Sequence, residues 1–187
     1  MHSFTDEQLI DQIDAGNPAA FAQLYQRHKD ALYAFCFRLL KDRDDAMDAV
    51  QETFVKIHKQ LRSLKESSSF RAWMFAIARN EVYVVFRRRK TTNGLDGEAE
   101  LVWGEETPLE IVIGEERTKL VQRVLGKLKP EYREVLLLRE YEQLSYAEIA
   151  EVTGDTESSV KSRLFKARRA LARKLNPIDV KGMNHDV

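Results

Sequence analysis

The chain has 187 residues, 43% of them hydrophobic, and thirty bases balance thirty acids to a formal net charge of zero. That length suits one domain or two small ones with real cores. No run reaches the 18 or so apolar residues that span a bilayer, the N-terminus lacks the basic-then-apolar order of a signal peptide, and a lone Cys36 excludes an internal disulfide, so the sequence predicts a cytoplasmic chain without membrane insertion.

Apolar spacing is helical throughout, and nothing alternates for long with period two. Thr5 and Gln8 form a capping box that opens a first helix, ending near Gly16. Asn17 followed by Pro18 reads as an N-cap with proline at the first helical position. The helix that follows carries Phe21, Leu24, Tyr25, Leu32, Phe35 and Leu39 on its buried face and stops near Lys41. A third helix starts around Asp44, with Ala46, Val50, Phe54, Ile57 and Leu61 as its buried stripe. Asp48, Gln51, Glu52 and Val55 form its other face, which by spacing alone is an ordinary solvated one. Ser63 to Ser69 is a serine-rich loop, and a fourth helix runs from about Phe70 to Lys90. Residues 91–109, with Gly94, Gly97, Gly104 and Pro108, predict a flexible linker. Helices resume from about Leu109 to Leu128 and from Pro130 to Glu140, and residues 177–187 read as a loose tail. The expected fold is all-α, with two small helical domains at 1–90 and 110–176.

The zero net charge hides a pattern. Residues 1–90 hold 15 bases and 12 acids, residues 91–116 hold eight acids and no base, and residues 117–176 hold 14 bases and eight acids. Two basic blocks flank an acidic joint, an asymmetry more informative than the isoelectric point.

Near the C-terminus the signals converge. Ser145 and Glu148 make a second capping box, Gly154 ends a short helix and Thr156 can cap the next. Ala150, Gly154 and Val160 fall at the spacing of a helix-turn-helix. In its second helix Val160, Leu164, Ala167, Leu171 and Leu175 face the core, while Lys161, Ser162, Phe165 and Lys166 lie on an adjacent face. Thr156 to Leu175 carries seven bases and one acid, where a solvated surface helix would mix its signs. A recognition helix presents such a face to base edges and phosphates, and an open aromatic can pack on a thymine methyl. The fourth helix interleaves Phe70, Arg71, Trp73 and Phe75 before ending in Arg87-Arg88-Arg89-Lys90, a mix suited to single-stranded DNA, although some of these rings belong in a core.

Four segments together resemble a known family. Asp45 to Phe54, Ser69 to Asn80, Arg87 to Arg89, and the pair Leu144 to Ala150 with Ser159 to Arg168 are similar, in that order, to segments of extracytoplasmic-function sigma factors of the sigma-70 family. The resemblance implies a subunit that binds core RNA polymerase and directs promoter-specific initiation. Asp48, Gln51, Glu52 and Val55 would meet the β′ clamp, and the C-terminal domain would meet the β flap. Ser67, Ser68, Ser69, Phe70 and Trp73 would surround a base flipped from the −10 element. Arg79, Asn80, Tyr83, Arg87 and Arg88 would contact the −10 strand. Ser158, Ser159, Lys161, Ser162, Arg163, Phe165, Lys166 and Arg169 would contact the −35 element. An anti-sigma factor is an implied partner, and the free protein would be monomeric. Val84, Met47 and Ala49 depart from the usual family residues, and Val84 bears on which −10 sequence is read.

The rival from another class is a self-sufficient helix-turn-helix regulator with an N-terminal sensor. It accounts for the C-terminal half but not for Arg87 to Lys90 or the ordered segments before them. An enzyme has little support, because the chain has no glycine-rich phosphate loop and no nucleophile–base pair. His2, His28, His58 and His185 lack metal-ligand spacing, so neither metal nor cofactor is expected.

Overall fold

The computed structural model describes residues 4–64, 69–92 and 116–182, and all regular structure among them is helical. Ser67, Ser68, residues 93–115 of the expected linker and its flank, and the end of the expected tail lie outside the described residues.

Four helices make the N-terminal body: α1 (Asp6–Asp14), α2 (Pro18–Leu40), α3 (Arg43–Gln60) and α4 (Phe70–Thr92). Thr5 and Gln8 close the predicted box, with the Gln8 N–H donating to Thr5 Oγ1 at 3.3 Å and the Thr5 N–H to Gln8 Oε1 at 3.0 Å. Asp6 then pins α1 to α2, accepting from Arg27 at 2.5 Å and meeting His28 Nε2 at 2.8 Å. Burial acts to raise the Asp6 carboxyl, but these bonds outweigh it and hold the group below its ordinary range. Asn17 caps α2, and Lys41 closes it in the left-handed region at φ 57°. Asp42 caps α3 through the Asp45 N–H at 2.9 Å.

Leu24, Leu32, Phe35 and Leu39 of α2, Ala46, Val50, Phe54 and Ile57 of α3, and Phe70, Met74, Phe75 and Val82 of α4 bury together. Phe35 and Phe75 meet edge to face at 5.3 Å between ring centres. Cys36 is buried here, and burial, with Glu81 nearby, pushes its thiol up to about 12. Tyr25 departs from its predicted burial: its ring tilts onto Phe54 at 4.6 Å but leaves one side exposed.

The C-terminal body comprises α5 (Glu116–Gly126), α6 (Pro130–Leu136), a π-helical turn (Leu137–Tyr141), α7 (Tyr146–Thr153) and α8 (Glu157–Gly182). Val160, Leu164 and Ala167 of α8 bury against Ile149 and Val152 of α7 and Leu136 to Leu138. The expected loose tail is corrected in part, since the backbone stays helical to Gly182. Pro177 has no N–H to donate and so removes one helical hydrogen bond, but the backbone is helical on both sides of it.

The two bodies are not independent. The buried cluster runs unbroken from Leu9 to Ala167, and α4 packs along α7. Arg133 of α6 is buried and uses its whole guanidinium on carbonyl oxygens: Leu125, Gly126 and Leu128 of its own body, and Arg38 and Leu39 at the C-terminus of α2, at 3.3 and 3.1 Å. Helix C-termini leave such carbonyls free and carry negative potential, so a buried cation there is well placed. Burial pulls the Arg133 guanidinium down to about 10, so it stays charged at neutral pH.

Candidate polymerase and nucleic-acid interfaces

Three surfaces carry the residues singled out in the sequence. The first is a groove of about 740 Å³ between α2 and α3, lined by Phe21, Tyr25, Tyr33, Met47, Val50, Phe54 and Val55, with Asp48, Gln51, His58 and Lys59 among its polar edges. Met47 is 61% exposed, unusual for so large an apolar side chain. Asp48, Gln51 and Val55 line the groove together, whereas Glu52 is exposed but outside its lining. Spacing alone made this face look merely solvated; the apolar floor beside it comes from α2 and could not be read from α3.

The second surface is α4, which divides into three faces. Phe70 is buried against His28 and Trp73, with ring centres 5.6 and 6.1 Å away, so it supports the half-buried Trp73 and is itself closed to a stacking base. Ser69 is half-buried in the turn just before it. Asn80, Val84 and Arg87 form an exposed stripe. Arg79 and Tyr83 turn the other way, toward the C-terminal body. Arg79 Nε donates to Glu134 Oε1 at 2.6 Å, the Tyr83 hydroxyl to Glu134 Oε2 at 3.4 Å, and the guanidinium lies 4.5 Å from the Tyr83 ring centre. Burial first, and the Glu134 charge next, push the Tyr83 hydroxyl above its ordinary value. Arg88 pairs with Asp45 at 2.5 Å, as does Arg89.

The third surface is the N-terminal half of α8. Thr156 accepts from the Ser159 N–H at 3.2 Å, and Gly154 supplies the left-handed turn before it at φ 71°. Ser158, Lys161, Ser162, Phe165, Lys166 and Arg169 share one exposed face. Phe165 is 60% exposed, with Arg169 5.5 Å from its ring centre, and Lys161 sits 5.4 Å from the Tyr146 ring. Ser159 is half-buried, and Arg163 turns away to Asp155 at 2.8 Å.

Family profiles described as "Sigma-70 region 2" and "Sigma-70, region 4" match residues 24–92 and 118–171. The sigma-E factor of Escherichia coli is 31% identical, with 93% of this chain and 96% of that protein covered. The sigma factor SigW of Bacillus subtilis is 28% identical over 92% of this chain and 97% of its own length. This chain is an extracytoplasmic-function sigma factor of the sigma-70 family.

Such a sigma factor directs promoter-specific transcription by RNA polymerase. Solved relatives agree in fold: CnrH, in complex with the cytosolic domain of CnrY, has a TM-score of 0.69 at 30% identity, covering 92% of this chain and 97% of that one. RpoE of Bartonella quintana, in complex with the anti-sigma factor NepR, has a TM-score of 0.70 at 29% identity, covering 83% and 96%. In this sigma factor the region 2 match and α4 both end at Thr92. Sequence reasoning missed the side chains that join the bodies: Arg133 and Glu134 of α6, and Glu142, which accepts from Arg71 at 3.1 Å. Their signal was weak. Arg133 and Glu134 stand directly before the apolar run Val135 to Leu138, and nothing in the sequence names their partners.

Proposed function

We propose that the α2–α3 groove docks the β′ clamp helices of core polymerase, that α4 holds the −10 strand, and that α8 reads the −35 element while its body rests on the β flap. An apolar floor with Asp48 and Glu52 beside it suits a basic-and-apolar protein surface better than DNA, which repels carboxylates. Asn80 and Arg87, with Arg79, Tyr83 and Arg88, contact the −10 strand. Ser67, Ser68, Ser69 and Trp73 hold the flipped base, with Phe70 bracing Trp73 from below.

The observation that carries the reading is Phe165: an open aromatic on a capped helix, among Lys161, Lys166 and Arg169. Lys161, Ser162, Phe165 and Lys166 face base edges, and Ser158, Ser159, Arg163 and Arg169 neighbour the backbone. An anti-sigma factor would hold the protein inactive by covering the groove; the two solved complexes of relatives support that partner class. The free protein is monomeric and cytoplasmic, and binds DNA poorly until polymerase joins its two contacts into one.

Transcription in vitro with core polymerase, followed by genome-wide mapping of start sites, tests this. Lys161→Ala and Lys166→Ala should each weaken promoter binding by about 1–3 kcal/mol, shifting start-site usage along with it. Intact promoter-specific transcription by both variants would sink the assignment of α8. Failure of the protein to co-elute with core polymerase would favour a self-sufficient regulator.

A further inference from the structure

Helix α4 leaves one large apolar side chain open among polar neighbours. Val84 is 46% exposed, with the exposed Asn80 one turn before it and the exposed Arg87 one turn after. The helix repeat puts all three on one face, Val84 being about 6 Å along the axis from Asn80 and about 4–5 Å from Arg87. A single open apolar residue is ordinary on a surface. The placement of the others gives this one meaning. Tyr25, Met47 and Val55 border the α2–α3 groove, Phe165 stands on the open face of α8, and Tyr141 lies against Arg38. Of the remaining exposed large apolar side chains among the described residues, Phe4 precedes α1 and Val84 stands on α4.

The face around Val84 suits a nucleic-acid strand. Glu81 is the one acid in the sequence of α4, and its buried carboxylate turns inward to accept from Lys56 Nζ at 2.5 Å. No carboxylate of α4 therefore faces outward to repel phosphates. Asn80 carries both a donor and an acceptor, so by turning over its carboxamide can meet the polar edge of thymine or of cytosine. A cation such as Arg87 on a phosphate positions the strand but carries no sequence information. Val84 can neither donate nor accept. What its isopropyl group can select on a pyrimidine is the 5-methyl of thymine, which cytosine lacks.

We infer, building on the −10 reading of α4, that Val84 is a specificity-determining residue: it packs on the 5-methyl group of one thymine in the −10 strand and makes the protein prefer thymine to cytosine at that position. Asn80 engages a base edge beside it without discriminating between the two pyrimidines, and Arg87 holds the backbone.

Transcription in vitro by the holoenzyme, from a promoter found by start-site mapping and carrying uracil in place of each −10 thymine in turn, isolates the methyl group, because uracil keeps every hydrogen-bonding atom of thymine. At one position, uracil should lower wild-type output about three- to five-fold, as loss of one buried methyl group predicts. Val84→Ala should transcribe the thymine and uracil forms of that promoter equally and should no longer prefer thymine to cytosine there. Alanine is a strong helix former, so α4 persists in this variant. Val84→Ile keeps a branched apolar surface and should retain the uracil penalty, a rescue that a merely structural role would not give. Equal wild-type output with uracil at every −10 thymine overturns the inference, as does a penalty of the same size in Val84→Ala. Asn80→Ala and Arg87→Ala test the −10 reading separately. If neither lowers transcription, α4 does not hold the strand; if both do while uracil is neutral in the wild type, the role of Val84 alone falls.

Discussion

Lys41 and Gly154 both end a helix in the left-handed region, at φ 57° and 71°, and the difference between them makes a testable pair. Glycine enters that region freely, whereas a side chain there costs roughly 1–2 kcal/mol. A Cβ at Gly154 would meet nothing within 4 Å, so Gly154→Ala carries only the backbone cost. It should destabilise the protein by about 1 kcal/mol and lower the thermal midpoint by roughly 2–4 °C for a chain of this size. Lys41→Gly should raise the midpoint slightly, because relief of strain is partly offset by the added entropy of the unfolded chain. Equal midpoints in calorimetry would contradict this account of how the two helices end. Gly154 was legible in the sequence because glycine at that place signals a stop. The stop near Lys41 was legible as well, but its left-handed backbone was not, since lysine has no preference for that region and follows the buried Leu39 and Leu40.

Caps make the elements equally specific. Ser145 opens α7 with a reciprocal box, its N–H donating to Glu148 Oε2 at 2.7 Å and its Oγ accepting from the Glu148 N–H at 3.2 Å. The Ser145 backbone N–H first, and its hydroxyl second, hold the Glu148 carboxyl below the ordinary value of 4.5. A depressed carboxyl contributes stability that is present above its ordinary value and lost as pH falls through its folded value. Ser145→Ala should therefore cost about 1 kcal/mol in denaturant unfolding at pH 7. Glu148→Ala should also destabilise at pH 7, with the difference from wild type shrinking as pH falls below 4.5; a difference that grows on acidification would refute this. Helices of this kind were readable because cap and periodicity agree. What α3 offers a partner was not readable, because the groove beside Asp48 needs Tyr25 and Tyr33 from α2. Nor was the seam between the bodies, since a bond from Arg79 to Glu134 spans 55 positions and leaves no local pattern.

At the scale of the whole molecule, the length between the bodies limits how far apart they can act. Helix α4 runs to Thr92 and α5 begins at Glu116, so residues 93–115 alone must bridge any separation. Fully extended, they reach about 75–80 Å. Promoter elements some two helical turns apart lie roughly 70 Å from each other. A free chain of that length has a mean span of only about 25 Å, so a molecule contacting both elements at once would need that stretch drawn nearly taut. The eight acids of residues 91–116 suit that state, since carboxylates repel one another and DNA and can lie in a channel built for nucleic acid. Reach then has little to spare. Deleting eight residues from 93–115 would leave about 50–55 Å, short of both elements at once. The shortened protein should still bind core polymerase. Its transcription from promoters that need both elements should fall at least ten-fold, and replacing the deleted length with serines should restore it. Undiminished transcription by the shortened chain would mean that the two bodies do not hold the −10 and −35 elements simultaneously.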